Sequence, residues 1–255
     1  MLITDEELDA LHRRLTREVI DVCDKCGGTG HLVVEPEPGD DEIRTRRCSC
    51  HRRVNHTVRL AEAEVPREFW QVDELRLDSN HDRQVEVLAY CDNLEAARGH
   101  GLGFLFSGTN GVGKTACACL ILSRAIREGY TAFYVTFHEL LALIRRGRRD
   151  SSIQDRVDRA CRRDFMVLDE LGKEFRRDEA DPYVTSELDA LLRARRSALL
   201  PTVLVTNLAP DEVGSVYGRS IDSLVSDRTR ALLFRPGDFR KRREASAEWS
   251  RMLKG

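Results

Sequence analysis

The sequence predicts an α/β protein: a parallel sheet with flanking helices, preceded by a small module stapled by cysteines. Three observations carry that expectation. From about residue 75, short apolar runs alternate with segments of helical periodicity, the pattern of strands joined by helical crossovers. One strand-to-helix junction is glycine-rich and ends in Lys-Thr, Gly108 to Thr115. Ahead of the alternating region, Cys23, Cys26, Cys48 and Cys50 form two close pairs in a stretch with little periodicity of its own.

In chain order, Leu8, Leu11, Leu15 and Val19 stand at helical spacing, so a short amphipathic helix is expected within 2–20. Residues 21–50 lose that period and are rich in Gly and Pro. Residues 51–64 read as helical again, and Pro66 ends them. A module boundary follows near 65–75, giving units 1–65 and 66–255. A helix is expected over 82–98, ending at Gly99, then a buried strand over 103–108 and a helix from Lys114 to Glu128. Further strands are expected at 131–137, 165–171, 202–208 and 231–234. Helices are expected at 138–147, 152–164, 183–197 and 241–254. The scattered Cys91, Cys117, Cys119 and Cys161 lie among apolar neighbours and are expected in the core.

The glycine-rich junction is Gly108-Thr109-Asn110-Gly111-Val112-Gly113-Lys114-Thr115, a G-x-x-x-x-G-K-[ST] pattern. Glycines let a backbone wrap closely around phosphates, and the helix after them points its positive dipole end at the same anion. In such a loop Lys114 reaches the β- and γ-phosphates and Thr115 ligates Mg²⁺. About 55 residues on, the apolar run from Phe165 closes in Asp169 and Glu170, the form of a Walker B segment. Asp169 is expected to hold the Mg²⁺ shell and Glu170 to polarise an attacking water. Asn207, after the strand-like TVLVT, is expected to touch the γ-phosphate or that water.

The cysteine pairs supply four thiolates, enough for a closed tetrahedral zinc site, and metal binding supplies the folding energy that so small a segment lacks. The second pair is one residue closer than the commoner spacing, so His51 stands as an alternative ligand to Cys50.

These segments, with EVPREFW (64–70), FMVLDELGKE (165–174), PTVLVTNL (201–208) and RPGDFR (235–240), resemble AAA+ ATPases of the DnaC/DnaI/IstB group, the helicase loaders and transposition helpers. The resemblance covers roughly 64–240 and makes Arg240 a candidate sensor-2 arginine. It implies an ATP- and Mg²⁺-dependent, slowly hydrolysing switch that forms an ATP-dependent homo-oligomer, binds single-stranded DNA and places a hexameric replicative helicase on it. The cysteine module resembles that of DnaI-type and phage loaders and implies helicase docking. One departure stands out: Leu224 occupies the place where the group carries an arginine finger, leaving Arg219 and Arg228 as candidates. A transposition helper, binding duplex DNA and a transposase, shares the same core, and a nonhydrolytic ATP-gated adaptor is the third reading.

Composition bounds these readings. The 255 residues carry 41 basic and 43 acidic side chains, net −2, with 41% apolar and 33% charged residues, as suits a globular protein. No apolar run approaches the roughly 18 residues that span a bilayer, and the acidic N-terminus lacks the basic start of a signal peptide, so no membrane contact and a cytoplasmic location are expected. Charge is divided unevenly. The first 70 residues are net acidic, which favours a protein partner for the module. Residues 141–163 and 219–243 are basic, as phosphate contact or a solvated helix face would require. Phe137 beside the first basic stretch could stack a base or belong to the core.

Overall fold

A computed structural model describes residues 2–34, 44–72, 81–173 and 181–235. The chain divides into two compact units, residues 2–67 and the chain from Glu68 onward.

In the first unit, helix α1 (Asp5–Leu15) opens with a capping box, in which Thr4 accepts from the Glu7 amide while the Glu7 side chain accepts from the Thr4 amide. It runs into a π-helical turn over Thr16–Ile20. Strands β1 (His31–Val34) and β2 (Arg44–Arg47) then pair antiparallel, and α2 (Ser49–Glu62) comes after them. The hairpin lies inside the stretch that the sequence presents as aperiodic. Its strands have four residues each and face solvent almost throughout, so neither carries the alternation by which a half-buried strand is read. One core cluster gathers around the cysteines: Ile20, Cys48, Cys50 and Val54 are buried, with Leu15, Val19, Leu32 and Val58 packed around them.

The second unit begins its described helices with α3 (His81–Cys91) and α4 (Leu94–His100). The single helix expected over 82–98 is thus two, broken at Asp92 and Asn93. Gly101 (φ 65°), not Gly99, takes the left-handed position after the last turn. Then come β3 (Gly103–Ser107), α5 (Lys114–Arg127), β4 (Ala132–Thr136), α6 (Phe137–Gly147), α7 (Ser151–Cys161) and β5 (Phe165–Leu171). The unit continues with α8 (Pro182–Ser197), β6 (Thr202–Thr206), α9 (Val213–Tyr217), α10 (Arg219–Arg228) and β7 (Thr229–Leu233), the last beginning two residues before the expected strand. The helix expected at 241–254 lies outside the described residues.

The five strands form one parallel sheet in the order β4-β5-β6-β3-β7. β3, β5 and β6 are buried almost end to end, which is why they read as continuous apolar runs. The chain leaves β3 toward β4 and then returns through β5 and β6 to β7. Right-handed crossovers therefore set α5 on one face, where it packs against α3, and α6, α7, α8 and α10 on the other. The reversal of direction beside β3 is where open α/β sheets bind ligands, at the carboxyl ends of the strands. Among the described residues no helix is long and apolar enough to cross a membrane.

Candidate nucleotide site

The turn between β3 and α5 adopts a backbone that side chains rarely tolerate. Gly108, Gly111 and Gly113 have φ of 138°, 79° and 95°, and a Cβ on Gly108 would lie 2.5 Å from the Phe234 carbonyl oxygen. Val112 is buried and anchors the turn. Gly113 is the N-cap of α5, so Lys114 and Thr115 open that helix. The Lys114 ammonium, almost fully buried, donates to the carbonyl oxygens of Gly108 (2.6 Å) and Thr109 (2.7 Å) and to Asn207 Oδ1 (3.0 Å).

Two other strand ends close around this turn. At the end of β5, Asp169 Oδ2 accepts from the Thr115 hydroxyl (2.9 Å) and the Tyr134 hydroxyl (2.8 Å), and Oδ1 accepts from the Glu170 amide (2.6 Å). Burial outweighs these hydrogen bonds and pushes the Asp169 carboxyl above the usual carboxylate range. A hydroxyl and a carboxylate so joined are a donor pair of the kind that holds Mg²⁺, and a cation there would offset the cost of burying the charge. Past the end of β6, the Asn207 side chain bridges the turn, accepting from Lys114 and donating to Asn110 Oδ1 (3.0 Å).

Glu170 sits differently. It has φ 62°, its side chain is half-exposed, and its Oε1 lies 2.5 Å from Lys173 Nζ. Tyr134 is a member of the site that the sequence does not reveal. Its one signal is a phenol in an otherwise apolar strand, which has no reason to be read as a partner of Asp169 until β4 and β5 are paired.

Of the candidate arginines, Arg219 opens α10 and is exposed. Arg228 ends the same helix and donates to the His100 carbonyl (2.8 Å), with Asp227 Oδ2 3.1 Å from its Nε. Thr229 pairs with Gly103, so Arg228 lies at the opposite end of the sheet from the glycine-rich turn, and any contact it makes with a γ-phosphate must be with that of another chain. Leu224 is buried on the inner face of α10, which accounts for an apolar residue at that position. Arg240 lies outside the described residues. Phe137 is fully buried and belongs to the core, not to a stacking surface. Part of the basic α6–α7 stretch is engaged within the unit: Arg145 and Arg148 lie over the Tyr183 ring at 5.2 and 4.8 Å, and Arg148 pairs with Glu187.

In the first unit, one sulfur each from Cys23, Cys26, Cys48 and Cys50 lies within 4.8 Å of the others, and the Cys23–Cys48 and Cys26–Cys50 separations are 3.9 and 3.8 Å. A tetrahedron of thiolates with Zn–S bonds of about 2.3 Å has edges of about 3.8 Å, so the set fits zinc. Cys50, not His51, completes it. The His51 ring packs against His31 instead, and its Nε2 would lie 2.6 Å from a Cβ on Gly30. The Gly30 amide donates to Cys26 Sγ (3.2 Å), a hydrogen bond of the kind that favours a thiolate ligand.

Comparison with known proteins gives a consistent picture. The family model described as IstB-like ATP binding protein matches residues 40–228. A putative ATP-binding protein of insertion sequence IS5376 from Geobacillus stearothermophilus is 28% identical over 145 residues, 57% of this chain and 53% of that protein. The replicative helicase loader DnaI of Bacillus subtilis is 26% identical over 116 residues, 45% of this chain and 36% of that one. The chain thus spans about half or less of the length of these relatives. Among solved structures, the DnaC helicase loader superposes with a TM-score of 0.59 at 17% identity, covering 67% of this chain and all of that one. DnaI gives 0.56 at 17% identity, covering 67% and 95%. At that identity the structures speak for the fold alone.

Proposed function

The chain belongs to the IstB-like ATP-binding protein family, and from that premise we propose that it is a slowly hydrolysing ATPase that loads a replicative DNA helicase onto single-stranded DNA. Its fold is that of the AAA+ loaders and it is an ATP-binding P-loop protein. In this reading the turn from Gly108 to Gly113 and Lys114 bind the phosphates, and Thr115 and Asp169 hold Mg²⁺, which neutralises charge on the phosphate oxygens. Glu170 orients and polarises the attacking water. Asn207, already bonded to Lys114 and Asn110, senses the γ-phosphate from the third strand end. Arg219 or Arg228 serves a neighbouring chain and Arg240 the chain's own nucleotide.

The observation that favours a loader is the four-sulfur cluster, built into a separate compact unit ahead of the nucleotide core. We assign that unit to helicase docking and the basic stretches of the core to DNA. A second reading has its own support, because the family model and one of the relatives belong to insertion sequences. That reading is a transposition helper acting on duplex DNA with a transposase.

Capture of a purified hexameric replicative helicase separates the two. A loader retains the helicase in the presence of ATP, loses it when residues 1–65 are removed, and prefers single-stranded over duplex DNA. Helicase capture unaffected by the removal, or a preference for duplex DNA with no capture at all, overturns the loader.

A further inference from the structure

Glu170 is a non-glycine residue in the left-handed region (φ 62°), a conformation that persists only where its surroundings hold it. It lies within β5, but at a break in the strand's pairing with β6. The β5–β6 register is irregular between Leu168 and Leu171, so the ladder that fixes the apolar half of β5 slips where the carboxylates begin. Beyond Glu170 the chain turns, with the Lys173 amide donating to the Glu170 carbonyl (3.2 Å) and Gly172 at φ 91°.

Two buried hydroxyls from other elements pin that turn. Thr206, the last residue of β6, donates to the Leu171 carbonyl (2.7 Å), and its oxygen accepts from the Leu208 amide (3.0 Å). Tyr217, the last residue of α9, accepts from the Gly172 amide (2.8 Å). Both are nearly inaccessible, at 2% and 3% exposure, so neither hydroxyl has bulk water as an alternative partner. Leu208 packs over Gly172 closely enough that a Cβ there would lie 3.1 Å from its side chain. On the far side of Leu208, its carbonyl accepts from Ser107, the residue just before the glycine-rich turn (2.5 Å). A continuous set of contacts therefore runs across three adjacent strand ends, from the start of the phosphate loop, past Asn207, to the residue after Glu170.

We propose that Tyr217 and Thr206 are positioning residues for Glu170: their hydroxyls fix the backbone of the Glu170–Lys173 turn and thereby aim the carboxylate. The proposal rests on the reading of Glu170 as the group that polarises water. Neither hydroxyl touches the nucleotide in this role, so both act on turnover and not on binding. Because α10 begins two residues after Tyr217, this contact also joins the helix that carries Arg219 and Arg228 to the turn that carries Glu170.

The test uses the full chain and four variants, Tyr217→Phe, Thr206→Val, Thr206→Ser and Glu170→Gln, with ATP turnover, nucleotide affinity and thermal melting measured on each. Tyr217→Phe and Thr206→Val are expected to lower kcat by about 10- to 100-fold, the scale of a small misplacement of a catalytic group, with KM and nucleotide affinity unchanged. Thr206→Ser, which keeps the hydroxyl, restores turnover. Placed in the Glu170→Gln background, Tyr217→Phe causes no further loss. Wild-type kcat in Tyr217→Phe, or an equal loss in the Glu170→Gln background, overturns the positioning role while leaving hydrolysis in place. Equal turnover in the wild type and Glu170→Gln sinks the hydrolytic reading itself, and the positioning role with it.

Discussion

The Thr115 hydroxyl donates to Asp169 Oδ2 across 2.9 Å, although the two residues stand 54 positions apart. One lies in the first turn of the helix after β3 and the other near the end of β5, with β6 lying between those strands. The contact thus fastens the two groups proposed to hold Mg²⁺ across an intervening strand, and Tyr134 braces the same oxygen from the opposite side of β5. Such a site is organised by protein groups alone, and a cation is what would offset its buried carboxylate.

Lys114→Ala removes an ammonium that three oxygens share, two of them loop carbonyls. Loss of one partner of a buried charged contact weakens binding by several kcal/mol. ATP affinity, measured with a fluorescent analogue, is expected to fall by about 100-fold or more, and ATP-dependent oligomers are expected to disappear. Wild-type affinity in the variant rules out the assigned phosphate contact.

Zinc content is expected to be about one ion per chain, as for other four-thiolate sites. Cys23→Ser or Cys26→Ser is expected to remove the ion and loosen the part of residues 2–67 built around it, where Ile20 and Val54 are buried against Cys48 and Cys50. Nucleotide binding by the second unit survives. Elemental analysis together with limited proteolysis checks both parts, and a metal-free protein with a protease-resistant first unit contradicts the assignment.

Asp164 gives a pH dependence with a definite sign. Burial alone raises its carboxyl. The Thr131 hydroxyl and amide, with Arg98, outweigh burial and hold it below the ordinary carboxylate range. A carboxylate with a depressed folded-state value contributes stability that is present above its unfolded value, about 3.9, and is lost as pH falls through the folded value. Asp164→Asn is therefore expected to lower the melting temperature at pH 7 and to narrow its deficit as pH falls below about 4. A deficit that is constant or widens with acid shows that the charge contributes nothing.

The trans arginine is testable by mixing. Arg219→Ala and Arg228→Ala, assayed separately, are expected to include one variant whose turnover drops by about 10³-fold or more. Adding the Glu170→Gln protein, which keeps the phosphate-binding turn and both arginines but does not turn over in its own site, restores activity to that variant in mixed oligomers. Unchanged turnover in both places the finger elsewhere than α10.

The order of the core elements and the identity of the phosphate loop are legible in the sequence alone. Both are local properties. A buried parallel strand is a run of apolar residues, and the loop needs glycines at fixed spacing before a helix. It also supplied the four cysteines, because few other residues form a closed metal site from so short a segment. It missed the β1–β2 hairpin and the break at Asn93, where short exposed strands and a cap-like interruption leave no period to read.

Which distant groups meet depends instead on how the strands pair. Strand order placed β6 between β3 and β5, which brought Asn207 to Lys114 and Thr206 to the turn after Glu170. Burial settled that Leu224 and Phe137 face the core, and proximity chose Cys50 over His51. These outcomes depend on pairings between residues tens of positions apart, and no periodicity within a single segment encodes them.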